Sequence, residues 1–82
     1  KSDINQYKNI LREVIKILSE NFNVTVILPQ DKYSDFDENL KSYHRIKNEI
    51  EKRFNLKVNG LVFNTNDTVE IISKKIKELN SK

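Results

Sequence analysis

The sequence predicts an all-α protein, a small four-helix bundle made of three main helices and one short helical turn near residues 61–64. Three observations carry this expectation. Apolar residues recur three or four apart through three separate stretches, which stacks them each time on one face of a helix. Glycine and proline occur once each, so the residues that build a turn-rich β-fold are scarce. The two β-branched stretches that interrupt the helical pattern are short, and an isolated pair of strands is marginal in water.

The first helix opens near Ser2 or Asp3, either of which can cap the first free amides. Ile4, Tyr7, Leu11, Val14, Ile15, Leu18 and Phe22 give it a continuous apolar face, with Ile10 beside it and Asn21 and Asn23 flanking its end. On the outer side Lys8, Arg12 and Lys16 form a basic i, i+4 row, mildly self-repelling and read first as a solvated face. Val24-Thr25-Val26-Ile27-Leu28-Pro29 reads locally as a strand stopped by proline, and Leu56 to Phe63 as a second one. The alternative, favoured here, is that both are irregular connections whose apolar residues plug the ends of the bundle.

The central helix organises the chain. Phe36, Leu40, Tyr43, Ile46, Ile50 and Phe54 form its apolar stripe. Two starts are open: Asp35 as cap with Glu38 reaching back, or Asn39 capping a helix that begins at Leu40. Lys47–Glu51 and Glu49–Arg53 are spaced to support its interior, and it ends around Phe54-Asn55. The last helix is marked by Asp67-Thr68-Val69-Glu70, a second capping box, with Val69, Ile72, Ile76 and Leu79 as its buried stripe and Glu70–Lys74 as an i, i+4 pair. No repeat, linker or low-complexity tract divides the 82 residues, so a single domain over 1–82 is expected.

Composition excludes several classes. Without cysteine there is no disulfide framework, thiolate nucleophile or cysteine-based zinc site. No apolar run approaches the roughly 20 residues that span a bilayer, and no signal peptide is evident; a cytoplasmic monomer is the default expectation. The chain starts at Lys1 rather than Met, which fits a processed form or a piece of something longer. The net charge of +3 is unevenly spread: residues 24–39 carry one Lys against three Asp and one Glu, whereas residues 40–58 carry six Lys or Arg against two Glu. The central helix is therefore basic and the loop before it acidic.

Catalytic chemistry is scarce. The one histidine, His44, lies near Lys41 and Arg45 and reads as a surface residue. Asp35-x-Asp37-x-Asn39 matches the opening of a calcium loop, but Leu40 stands where glycine is needed and Ile46 where glutamate is. These carboxylates read instead as caps at a helix N-terminus. No metal site and no enzyme activity are expected. The lysines of the first, central and last helices invite a nucleic-acid reading, but no helix-turn-helix signature or base-stacking aromatics accompany them.

The order of elements, with a central helix ending in Glu51-Lys52-Arg53-Phe54 and a last helix opening Thr68-Val69-x-x-Ile72-x-x-x-Ile76, resembles the acyl and peptidyl carrier proteins. The likeness runs without a gap from about Asp35 to Ile76. Asp35-Phe36 falls where carriers have Asp-Leu; Ile46, Ile50 and Phe54 take buried positions of the carriers' second helix, and Val58 the apolar position after it. The resemblance implies a four-helix carrier fold and a place among proteins of fatty-acid, polyketide or nonribosomal-peptide biosynthesis. It also implies a modifiable serine in an Asp-Ser-Leu motif, and here the chain departs: the matching residues are Asn39-Leu40-Lys41, and leucine has no oxygen to carry phosphopantetheine. Ser42, or less readily Ser34, is the alternative point of attachment; otherwise no cofactor is expected.

Carriers of fatty-acid synthesis present an acidic second helix, whereas this one holds Lys41, Arg45, Lys47, Lys52 and Arg53. That charge calls for an acidic partner, with Leu40, Lys41, Tyr43, His44, Arg45 and Lys47 as the expected contacts. A third reading is an immunity-type inhibitor of a toxin, since nuclease-immunity proteins have a similar four-helix arrangement. Those proteins are acidic and this chain is basic, which weighs against it.

Overall fold

A computed structural model describes residues 2–37 and 39–80, apart from the side chains of Ser2 and Asp3. Three α-helices are present: α1 (Ser2–Phe22), α2 (Tyr43–Arg53) and α3 (Val69–Asn80), with a 3-10 turn at Tyr33–Asp35. Both α2 and α3 pack on α1. Among the described residues there is no strand, only one antiparallel bridge between Lys32 and Thr68. Residues 24–28 and 56–63 are irregular, as the weakness of a two-stranded sheet led us to expect.

The fourth, short helical turn is absent from its expected place. Leu61-Val62-Phe63 runs without helical structure, with Leu61 and Phe63 buried and Val62 exposed. That alternation is the two-residue period of an extended segment. It sends two large side chains into the core, which is the plugging role expected of this stretch.

Asparagine ends two helices. Asn23 and Asn55 adopt left-handed backbone, with φ of 58° each, a conformation asparagine tolerates better than most residues. The amides beyond them then turn back: Val24 N–H donates to Ser19 O at 3.2 Å and Leu56 N–H to Glu51 O at 2.8 Å. This closes the last turn and satisfies carbonyls that would otherwise face no donor.

The core joins Ile10, Val14, Ile17 and Leu18 of α1 to Ile46 and Ile50 of α2, to Val69, Ile72 and Ile76 of α3, and to Ile27, Tyr33, Leu61 and Phe63 from the connections. On α1 the buried line is rotated from the expected one: Ile17 is fully buried, while Ile4 is exposed. The cap expected of Ser2 or Asp3 rests on side chains outside those described. The last helix follows expectation closely, but its cap is Thr68 rather than Asp67, with Thr68 Oγ1 accepting the Ile71 amide at 3.2 Å. Asp67 accepts from the Asn64 amide at 2.8 Å and pairs with Lys75 at 2.9 Å. The first loop completes the cap, since Pro29 O accepts the Glu70 amide and Asp31 O the Val69 amide, both at 2.9 Å. No Glu70–Lys74 ion pair forms among the described residues.

The connection from α2 to α3 is held by one buried carboxylate. Glu51 Oε2 accepts from Lys47 Nζ at 3.1 Å and from the Leu61 amide at 3.0 Å, and Oε1 accepts from the Asn59 amide at 3.1 Å. Lys47 Nζ also donates to Asn59 Oδ1 at 3.1 Å. Burial alone would push the Glu51 carboxyl upward, but the Leu61 and Asn59 amides and the Lys47 charge outweigh it and hold the group below its ordinary value. The other expected pair of α2, Glu49–Arg53, is replaced by contacts to α1: Asn21 donates to Glu49 and Arg53 lies 3.0 Å from Glu13.

Two outcomes follow for this carboxylate. Glu51→Gln leaves the buried Lys47 ammonium without a counter-charge and lowers stability by about 3 kcal/mol in urea unfolding at neutral pH. A group held below its ordinary 4.5 contributes fully above that pH, and the contribution is lost as pH falls through the folded value. The wild type therefore loses stability on acidification, and Glu51→Gln shows a shallower loss over the same range.

Candidate functional site

The region matched to the carriers' modification site is the approach to α2. The helix begins at Tyr43, later than either expected start. The reason lies with Asp37, whose buried carboxylate is engaged before a helix can form: its Oδ2 accepts from Tyr33 Oη at 2.8 Å and from the Ser42 amide at 3.0 Å. Asp37 O also accepts the Leu40 amide at 3.0 Å, closing a turn across residues 37–40. Asp35 does not cap α2; it closes the 3-10 turn by accepting the Lys32 amide at 3.0 Å. Glu38, the other half of the expected capping box, lies outside the described residues.

Tyr33 is the post on which this approach is built. Its ring is fully buried and meets Phe22, Tyr43 and Phe63 edge-on, with centroids 6.1, 5.8 and 5.4 Å away. Burial first, and then the Asp37 hydrogen bond and charge, push the Tyr33 hydroxyl far above the ordinary tyrosine range. Phe36 packs on Phe22 from the loop rather than from a helix. Tyr43 is half-buried and donates to Phe63 O at 2.5 Å, tying the first turn of α2 to the 61–63 connection.

Leu40 is the anomaly. Four described residues other than glycine have positive φ, and three of them are Asn23, Asn55 and Asn59; the fourth is Leu40, at 55°. Left-handed backbone costs an ordinary L-residue about 1–2 kcal/mol. Leu40 is 43% exposed and is not among the residues packed against the core. Neither the turn nor the core accounts for leucine at this position.

The other expected site residues divide. Lys41 and His44 are exposed, His44 lying edge-on to Tyr43 at 5.4 Å. Arg45 is exposed and donates to Asn21 Oδ1 at 2.5 Å and to Ser42 Oγ at 3.1 Å. Lys47 does not join them: it is buried, with its ammonium committed to Glu51 and Asn59, so it is not presented to a partner. The Ser42 side chain makes no cap bond to the amides that open α2, in contrast to the capped start of α3. The start of α2 thus sets Lys41, His44 and Arg45 in sequence beside the Asp37 carboxylate that accepts the Ser42 amide.

Whether the chain suits a phosphopantetheine arm is decided by its oxygens. Leu40 offers none. Ser42 stands at the cap position of α2 but does not bond the helix amides; its Oγ accepts from Arg45. Ser34 is half-buried within the 3-10 turn, its amide bonded to Thr65 O at 2.9 Å. The position matched to the carriers' serine therefore does not fit the group.

Sequence reasoning missed Tyr33 and Asp37 as a pair. The i, i+4 spacing of Tyr33 and Asp37 was the available signal, but it falls in a polar stretch with no apolar stripe to mark it as buried. Tyr33→Phe removes the donor to Asp37 while keeping the ring, and lowers stability by about 1–2 kcal/mol in urea unfolding at neutral pH. A hydroxyl raised above its ordinary 10.0 contributes below that pH and loses its contribution above it, so the gap between the two proteins narrows in alkaline buffer.

No family model, curated protein or solved structure matches this chain.

Proposed function

We propose that this chain is a non-catalytic, acyl-carrier-like helical module that docks an acidic protein surface through the approach to α2, using Leu40, Lys41, His44 and Arg45. The observation that carries the reading is Leu40, an exposed apolar side chain held in backbone that favours glycine or asparagine. A residue that stability does not favour, presented at the surface beside basic groups, is accounted for by a contact made outside the chain. An apolar anchor with a charged surround is the usual arrangement at an interface, where charge mainly sets partner choice and encounter rate. The resemblance to carriers supplies the rest: core positions are kept, and the serine is replaced.

The second reading is a working carrier modified at Ser42, which the place of Ser42 at the start of α2 favours. Incubation with coenzyme A and a broad-specificity phosphopantetheinyl transferase separates the two by intact mass. The docking role predicts no adduct under conditions that modify a control carrier. An adduct that disappears in Ser42→Ala would sink it and establish a carrier instead.

A further inference from the structure

A second face of the molecule lies along α1 and α3, away from the approach to α2 in sequence and in element. Ile4, Tyr7, Lys74 and Lys77 line a shallow, open surface groove of about 340 Å³ between these helices. Its apolar floor includes Ile4, which is 60% exposed. Ile4 also begins an i, i+4 row that continues through Lys8, Arg12 and Lys16, all exposed, so the basic row runs directly out of the groove. Lys8, Arg12, Lys16 and Lys74 have no ion-pair partner among the described residues. The acid within this stretch, Glu13, is turned toward Arg53 on α2. Among the described side chains, burial first and then the Glu70 carboxylate raise the Tyr7 hydroxyl above its ordinary value.

Like charges one turn apart weaken the helix that carries them, and an exposed isoleucine adds nothing to the core. A phosphate backbone would neutralise the cations but leave Ile4 and Tyr7 uncovered. A bilayer surface would meet the row but calls for a broad apolar face, and here Ile4 and Tyr7 alone supply one. A helix with an apolar stripe and flanking carboxylates does both, by the helix-in-groove mode.

We propose that the groove of Ile4, Tyr7, Lys74 and Lys77, extended along Lys8 and Arg12, binds an acidic amphipathic segment of a protein partner. The surface is separate from the Leu40 end, so the two proposals stand or fall independently.

The test titrates the isotope-labelled full chain with a synthetic peptide carrying Leu at helical i, i+3, i+4 spacing and Glu elsewhere, followed by amide NMR. The expected shifts cluster around Ile4, Tyr7, Lys74 and Lys77 and weaken with added salt. Ile4→Asp and Lys74→Glu each lower affinity by about tenfold or more while circular dichroism stays unchanged. The proposal is overturned by the absence of binding, or by shifts gathered at Leu40 and Tyr43 instead. It is equally overturned if a peptide of the same composition with shuffled leucines binds as well, or if duplex DNA or phosphatidylserine vesicles bind this face and the peptide does not.

Discussion

The position of everything at the start of α2 depends on one buried hydrogen bond, from Tyr33 Oη to Asp37 Oδ2 at 2.8 Å. An ionisable carboxylate out of water is costly unless it is well bonded, and Asp37 meets that requirement with the tyrosine hydroxyl and the Ser42 amide. The same tyrosine holds the two long connections together: its amide donates to Asp67 O at 3.0 Å and its ring packs on Phe63. Thus the loop before α2, the loop before α3 and the first turn of α2 are fixed by a single side chain and its backbone. In a chain of 82 residues, where one core is barely sufficient, such concentration is expected.

Polar groups do in this protein what a sheet or a fourth helix would do in another. Glu51 joins α2 to residues 59–61 through two hydrogen bonds, and carbonyls of the first loop cap α3. Both devices let irregular backbone lie against the core without orphaned amides. The contrast between the helix starts then acquires meaning. The first amides of α3 are taken by the first loop and by Thr68, while at α2 the Ser42 hydroxyl accepts from Arg45 and caps no amide.

Much of the helical content was legible because α3 and the interior of α2 carry clean three- and four-residue spacing bounded by Thr68 and Asn55. Where legibility failed, two explanations fitted the same residues. Phe36 and Leu40 continue the stripe of α2 by spacing, yet Phe36 reaches the core from a loop and Leu40 stays outside it. On α1 nearly every turn carries apolar residues on both flanks, so periodicity chose a face that begins at Ile4 and passed over Ile17, which the packing of α2 and α3 buries. Lys47–Glu51 read as an ordinary surface pair, because sequence does not show that a loop will fold over it. The candidate site was legible through Leu40, whose identity stood out against the resemblance, but its strained backbone was not.

The helix that organises the sequence thus buries Ile46 and Ile50 in the core, while its approach carries the exposed Leu40. The central claim is that Leu40 is maintained for a contact outside the chain and against local backbone preference. The most direct measurement is the urea-unfolding free energy of Leu40→Asn beside the wild type. Relief of left-handed strain predicts equal stability or a gain of up to about 1 kcal/mol. A loss larger than about 1 kcal/mol, of the size that follows removal of packed apolar surface, would show that Leu40 serves the fold and contradict the claim.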